Sequence, residues 1–109
     1  MTEVKTIFFV DDDPNQLTMV VDYLSKFKYI NLKTFSSGEE CLKNLSLKPQ
    51  VIFLDYNFDK AGNQAKNGIQ VLKEIKDADP SIEVVMLSGQ DKIEVAVNTM
   101  KYGAFDYIV

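Results

Sequence analysis

Three aspartates and a serine stand in this chain where short apolar runs end. The runs and the residues that follow them are Ile7–Val10 with Asp11 and Asp12, Val51–Leu54 with Asp55, and Val84–Leu87 with Ser88. Short apolar runs of this kind are typical of buried parallel strands, and ligands gather at the carboxyl ends of strands in an open parallel sheet. A fold that brings these ends together places three carboxylates and a hydroxyl in one pocket. Such a pocket suits a divalent cation beside one reactive aspartate.

Asp55 is the candidate nucleophile of this pocket. A single aspartate at the end of a strand is explained equally well by its preference for turns. Its combination with the other strand-end residues is what favours a reactive role over a turn. A carboxylate beside Mg²⁺ can attack a phosphoryl group in line and form an acyl phosphate. Ser88 would donate a hydrogen bond to one of the phosphoryl oxygens. Asp13 needs no such role, because its place before Pro14 is that of a helix N-cap.

The rest of the chain alternates between strand and helix patterns. Strands are predicted at Thr6–Val10, Ile30–Phe35, Val51–Leu54, Glu83–Leu87 and from Tyr107 to Val109. Apolar residues at helical spacing predict helices on Leu17, Val20, Val21, Leu24 and Phe27; on Cys41, Leu42 and Leu45; on Ile69, Leu72, Ile75 and Ala78; and on Ile93, Ala96, Val97 and Met100. This alternation predicts one α/β domain built on a doubly wound parallel sheet.

Composition limits the chemistry to carboxylates, hydroxyls, lysines and a bound ion. The chain has 109 residues, a net charge of −4 and no histidine. The lack of histidine excludes Ser-His-Asp and Cys-His nucleophiles, most zinc sites and a phosphohistidine on this chain. The lysines are scattered singly, so the sequence shows no basic cluster of the kind that binds nucleic acid. No apolar run is long enough to span a bilayer. Cys41 is the only cysteine, so the chain can form no internal disulfide, as is usual in a reducing cytosol. Nothing at Met1–Lys5 resembles a secretion signal, and the two observations together predict a cytoplasmic protein.

The order of these motifs resembles a known family. The likeness is carried by Phe8–Pro14 (FFVDDDP), Val51–Asp55 (VIFLD), Met86–Gly89 (MLSG) and Gly103–Val109 (GAFDYIV). In order and spacing these segments resemble the receiver domains of two-component response regulators, over nearly the whole chain. The resemblance implies a flavodoxin-like sheet of five parallel strands in the order 2-1-3-4-5.

The resemblance also implies a role for each site residue. Asp55 would be the phosphoacceptor, taking a phosphoryl group from a sensor histidine kinase or phosphotransfer domain. Mg²⁺ would be held by Asp11, Asp12, Asp55 and the backbone carbonyl of Asn57. Ser88 would be the switch hydroxyl and Tyr107 the switch aromatic, which together change the surface offered to a downstream output domain or protein.

Two features depart from the receiver pattern. Receiver domains usually carry a lysine and a final helix after the segment that matches Tyr107–Val109, where this chain ends; we therefore expect a truncated domain, residues 1–109, that ends in the fifth strand. Apolar surface beside the first helix would then be exposed, which predicts self-association or reduced stability.

The second departure is the loop Tyr56–Asn67, which is longer than usual. It is either a tolerated surface insertion or a flap that tunes phosphorylation lifetime or partner choice.

We therefore expect a Mg²⁺-dependent phosphoryl acceptor that catalyses its own phosphorylation and dephosphorylation without turning over an external substrate. A receiver-shaped interaction module that is never phosphorylated stays open as the alternative. A haloacid-dehalogenase-type phosphatase would need a second aspartate two positions after the nucleophile, where this chain has Asn57. A flavodoxin-like cofactor binder would need a phosphate loop after the first strand, where three acids would repel phosphate.

Overall fold

The computed structural model describes residues 4–55, 68–87 and 102–108. The strands within these ranges are β1 (Lys5–Val10), β2 (Ile30–Phe35), β3 (Val51–Asp55), β4 (Glu83–Leu87) and β5 (Asp106–Ile108). They pair in parallel to form a five-stranded sheet in the order β2-β1-β3-β4-β5. This order confirms the flavodoxin-like, doubly wound α/β fold expected from the sequence.

Polar caps set where the first two helices begin. The described helices are α1 (Pro14–Leu24), α2 (Gly38–Lys43), which a short 3-10 helix (Leu45–Leu47) follows, and α3 (Gly68–Ala78). The Asp13 carboxylate accepts a hydrogen bond from the Asn15 N–H at 2.9 Å, as expected of an N-cap before proline. The Ser37 hydroxyl accepts one from the Glu40 N–H at 3.2 Å and caps α2 in the same way.

The core lies on the face of the sheet that α2 and α3 cover. Successive side chains of a strand point to opposite faces of the sheet, so every second residue of the three central strands points to this face. Six of these residues are completely buried: Phe8, Val10, Ile52, Leu54, Val84 and Met86. Four residues pack against them from the helices: Cys41, Val71, Leu72 and Ile75. Burial raises the pKa of the Cys41 thiol to about 12, so this side chain acts as a packing group.

The opposite face of the sheet is less completely covered in the described part of the chain. Phe9 and Phe53 lie there, half-buried and stacked with ring centroids 6.0 Å apart. None of the α1 residues is fully buried. Val21 lies at the edge of the apolar face predicted for this helix and is 42% exposed. Adjacent helical residues point about 100° apart, so Val20 and Val21 stand on opposite sides of that face.

Some predicted elements lie outside the described residues. They are the loop Tyr56–Asn67, the strand-end residue Ser88 and the helix predicted around Ile93–Met100. Among the helices that the structure describes, none combines the length and the apolar character needed to cross a membrane.

Substitution of Leu72 tests the position of the core. Leu72 is fully buried on α3, and Leu72→Ala should lower the free energy of unfolding by about 3 kcal/mol, because it removes buried methyl groups and leaves a cavity. Leu47→Ala is the matched control, since Leu47 is 49% exposed, and it should cost less than about 1 kcal/mol. Urea unfolding followed by circular dichroism measures both values, and equal losses would contradict this core.

Candidate functional site

Parallel pairing of β1 with β3 brings the candidate carboxylates together. Val10 lies opposite Leu54 in this pair, so the residues that follow, Asp11 and Asp55, leave neighbouring strands side by side. Neighbouring strands are about 4.8 Å apart. On its other side Asp55 pairs with Leu87, the last residue of β4. The carboxyl ends of the three central strands therefore meet at one edge of the sheet.

Three carboxylates form a cluster at this edge. One carboxylate oxygen from each of Asp11, Asp12 and Asp55 lies within 4.8 Å of the other two, so a single cation can contact all three. Asp11 is buried, with 8% of its surface exposed, whereas Asp12 is exposed and Asp55 is half-buried. The cluster is thus shielded on the side of Asp11 and open to solvent on the side of Asp12.

Backbone hydrogen bonds hold Asp11 in place. Its N–H donates to the Phe35 carbonyl at 3.0 Å, which joins the end of β1 to the end of β2. Its Oδ1 accepts a hydrogen bond from the Asp13 N–H, also at 3.0 Å. Because Asp13 also caps α1, the turn between β1 and α1 fixes both the buried carboxylate and the start of the helix.

Burial and neighbouring acids raise the pKa of Asp11 from 3.8 to about 6. Loss of hydration is the largest cause; the negative charges of Asp55 and Asp12 and a hydrogen bond with the Asp55 side chain act in the same direction. The Asp13 N–H opposes the shift, since it stabilises the carboxylate. Asp11 therefore keeps its proton up to about pH 6 when no cation neutralises the cluster.

The donor set of the cluster fits a hard divalent cation. Carboxylate oxygens are the ligands that Mg²⁺ and Ca²⁺ prefer in proteins. The nitrogen and sulfur ligands typical of zinc sites are missing from the cluster, since the chain has no histidine and Cys41 is buried in the core. The cluster can therefore bind a divalent metal ion through oxygen alone.

Comparison with known proteins identifies the family. The family model of the response regulator receiver domain matches residues 7–109. The chain belongs to the response regulator receiver domain family. A similar protein is the nitrogen assimilation regulatory protein NtrX of Azorhizobium caulinodans, 33% identical over 103 residues that cover 94% of this chain and 22% of NtrX. Receiver domains are signalling domains of two-component systems and not enzymes that turn over a substrate.

Two further receiver proteins agree in sequence and fold. The chemotaxis protein CheY of Thermotoga maritima is 28% identical over 106 residues, which cover 96% of this chain and 84% of CheY. The structure of the BeF3-activated DrrB receiver domain superposes with a TM-score of 0.81 at 27% identity, over 97% of this chain and 84% of that chain. The chain thus spans about a fifth of NtrX but most of the length of CheY.

The structure brings together three of the predicted site residues, Asp11, Asp12 and Asp55. Their roles as metal ligands and phosphoacceptor stay predictions. Tyr107 lies on β5 with its backbone opposite Met86 of β4, while its side chain is outside the described part of the chain. Ser88 and Asn57 also lie outside the described residues.

Lys76 supports the scaffold of the site, although no sequence pattern singled it out. Its ammonium group donates hydrogen bonds to the carbonyls of Pro80 and Ile82, both at 2.9 Å, and so ties the end of α3 to the segment that enters β4. Its alkyl chain leaves little room at Gly103, where an added Cβ would lie 3.3 Å from Lys76 Cε. A lysine in the last turn of a helix is a weak signal for such a contact with free carbonyls.

The shifted pKa of Asp11 predicts how stability depends on pH without divalent cations. The folded protein holds a proton on Asp11 up to about pH 6, whereas the unfolded chain releases it near pH 3.8. The free energy of unfolding therefore falls between these values as pH rises, because the folded state binds more protons there. This loss is absent from Asp11→Asn, so between about pH 4 and pH 7 the variant should gain about 2–3 kcal/mol of unfolding free energy relative to the unsubstituted chain.

Urea unfolding in a chelator at several pH values measures this effect. Asp22→Asn is the matched control, since Asp22 is exposed on α1 outside the cluster, and its pH profile should run parallel to that of the unsubstituted chain. A parallel profile for Asp11→Asn as well would show that Asp11 holds no extra proton in the folded protein.

Proposed function

We propose that this receiver domain accepts a phosphoryl group on Asp55, and that Mg²⁺ is required. The observation that carries the proposal is the convergence of the Asp11, Asp12 and Asp55 carboxylates within 4.8 Å at the strand ends. Mg²⁺ is commonly held by one or two carboxylates while it keeps several waters. Asp11, Asp12, Asp55 and the backbone carbonyl of Asn57 would be its ligands.

Asp55 is the nucleophile in this proposal. One of its carboxylate oxygens attacks the phosphorus of a phosphohistidine; as the new O–P bond forms, the P–N bond breaks and its electron pair stays on the imidazole nitrogen, which takes up a proton. Bound Mg²⁺ supplies neutralisation of the charged phosphoryl oxygens. The chain has no histidine of its own, so the donor is another molecule, a sensor histidine kinase or a phosphotransfer domain.

Asp11 and Asp12 prepare Asp55 for this attack by holding the cation. While Asp11 holds its proton it is a poor metal ligand, because a carboxyl group must be deprotonated to bind a cation well. A divalent cation held by Asp11 and Asp12 would displace the proton of Asp11, so that the buried carboxylate would keep its charge. The exposed position of Asp12 gives the cation and the phosphodonor a route from solvent.

Ser88 and Tyr107 would transmit phosphorylation to a downstream output domain or protein. Asp55 pairs with Leu87, the residue directly before Ser88 in the sequence. Tyr107 belongs to β5, which pairs with the same strand, β4. Ser88 therefore follows the strand next to the phosphoacceptor strand, and Tyr107 lies one strand further along the sheet. A new hydrogen bond from Ser88 to a phosphoryl oxygen can thus alter the surface around β5.

Phosphorylation with a small acyl phosphate donor tests the proposal. The unsubstituted chain should gain the mass of one phosphoryl group when Mg²⁺ is present and none in a chelator, as measured by intact mass spectrometry. Asp55→Asn should gain nothing, because its amide is not a nucleophile. Asp12→Asn should need more Mg²⁺, since one metal ligand is weakened.

Asp22→Asn is the matched control, an acid-to-amide change on exposed α1 surface that should leave the reaction unchanged. Thermal melting followed by circular dichroism checks that every variant is folded. Phosphorylation that persists in Asp55→Asn would refute Asp55 as the acceptor. A folded, unsubstituted chain that gains no phosphoryl group at saturating Mg²⁺ would favour the alternative, a receiver-shaped interaction module.

A further inference from the structure

A cleft of about 480 Å³ lies between α3 and the segment that leads into β5. Lys73, Lys76 and Asp77 line it from α3, and Tyr102 and Gly103 line it from the segment before β5. Its volume is in the range of sites that bind small molecules. Because the strands are parallel, a cleft where β5 begins lies at the opposite edge of the sheet from the carboxylate cluster, which follows the strand ends.

Both lysine ammonium groups in this cleft are held in place by the protein. The Lys73 ammonium lies 4.0 Å from the centre of the Tyr102 ring, which is a cation–π contact. The Lys76 ammonium donates to the carbonyls of Pro80 and Ile82, so one of its three N–H groups is left for another acceptor. A side chain that is already fixed loses less conformational entropy when it binds a ligand.

The cleft is positively charged in a chain that is acidic overall. Among the described residues that line it, Asp77 is the only carboxylate beside the two lysines, whereas the whole chain has a net charge of −4. Asp79, which interacts with Lys76 through its charge, lies outside this lining and accepts hydrogen bonds from Ser81. Neither an aromatic ring nor a carbonyl neutralises an ammonium group. The cleft therefore attracts anions.

We propose that this cleft binds a small organic phosphate, with the phosphate group between Lys73 and Lys76. The two lysines are three residues apart on α3, so their side chains are neighbours on the helix surface. Lysine is a common phosphate ligand, and hydrogen bonds between ammonium groups and phosphate oxygens are strong because both partners are charged. The cleft is much larger than a phosphate ion, which leaves room for an organic group beside the Tyr102 ring.

Gly103 keeps this cleft open. Its φ of +100° is in the region that favours glycine, and an added Cβ would lie 3.3 Å from Lys76 Cε. Two residues later, the Phe105 N–H donates to the Val84 carbonyl at 2.7 Å, which joins the same segment to β4. A ligand in the cleft would thus connect α3 with the start of β5. The site shares no residue with the carboxylate cluster, so its test is independent of phosphorylation on Asp55.

Titration of the 15N-labelled chain with phenyl phosphate, followed by amide NMR shifts, measures the binding. A chelator and constant ionic strength exclude contributions from metal ions and from general screening. The amide signals of Lys73, Asp77 and Gly103 should shift together and saturate. Phenyl phosphate should bind about threefold or more tightly than inorganic phosphate, because it adds a ring beside Tyr102, and phenol should cause no saturable shift.

Charge variants test which residues hold the phosphate. Lys73→Gln should raise the Kd of phenyl phosphate about tenfold, since it removes one of the two ammonium groups. Asp77→Asn should lower the Kd about twofold, because it removes the negative charge from the lining. Lys43→Gln is the matched control, an exposed lysine in the last turn of α2 that should leave the Kd unchanged. Thermal melting checks that each variant is folded.

The absence of saturable shifts at these three amides would overturn the proposal. Equal losses of affinity in Lys73→Gln and Lys43→Gln would also overturn it, because phosphate would then respond only to the net charge of the chain. Inorganic phosphate that binds as tightly as phenyl phosphate, or phenol that binds in the same place, would overturn the assignment to an organic phosphate.

Discussion

The constraint on which this structure depends is the meeting of like charges at the ends of two neighbouring parallel strands. The pairing of Val10 with Leu54 leaves no freedom in where Asp11 and Asp55 emerge, and the sheet buries Asp11 against a second carboxyl group. Burial and the neighbouring negative charges favour a proton on Asp11 unless a positive partner is present. A proton on Asp11 and a bound metal ion are alternative ways to neutralise the site, and exchange between them is the chemical basis of the proposed function.

The two faces of the sheet serve this site differently. On the face covered by α2 and α3, complete burial of Phe8, Ile52 and Leu54 holds β1 and β3 in register, so the carboxylates are positioned by a rigid core. On the other face, α1 begins at the Asp13 cap beside the site and continues past the stacked rings of Phe9 and Phe53. One helix thus connects the edge of the reactive pocket with the less covered face of the sheet.

Much of the fold and the site could be predicted because the signals are local. Apolar runs that end in acids marked β1 and β3, and the Asp13–Pro14 pair marked the start of α1. The rule that parallel strands end at one edge then sufficed to bring Asp11, Asp12 and Asp55 together.

Other features depend on contacts that a sequence pattern does not contain. The consecutive Phe8 and Phe9 supply one ring to each face of the sheet, but nothing in the sequence says which face is better covered. The exposure of Val21 depends on how α1 is rotated against the sheet. The deeper burial of Asp11 relative to Asp12 follows from the direction in which the chain turns after β1, and the contacts of Lys76 follow from the shape of the loop before β4.

The central claim is that Asp11 holds a proton that a divalent cation replaces. Carbon-13 NMR of the aspartate carboxyl groups, followed as a function of pH with and without Mg²⁺, tests it most directly. The Asp11 resonance should titrate near pH 6 in a chelator, and its midpoint should move to lower pH when Mg²⁺ is present. An Asp11 midpoint near the ordinary value of about 3.9 that Mg²⁺ leaves unchanged would contradict the account.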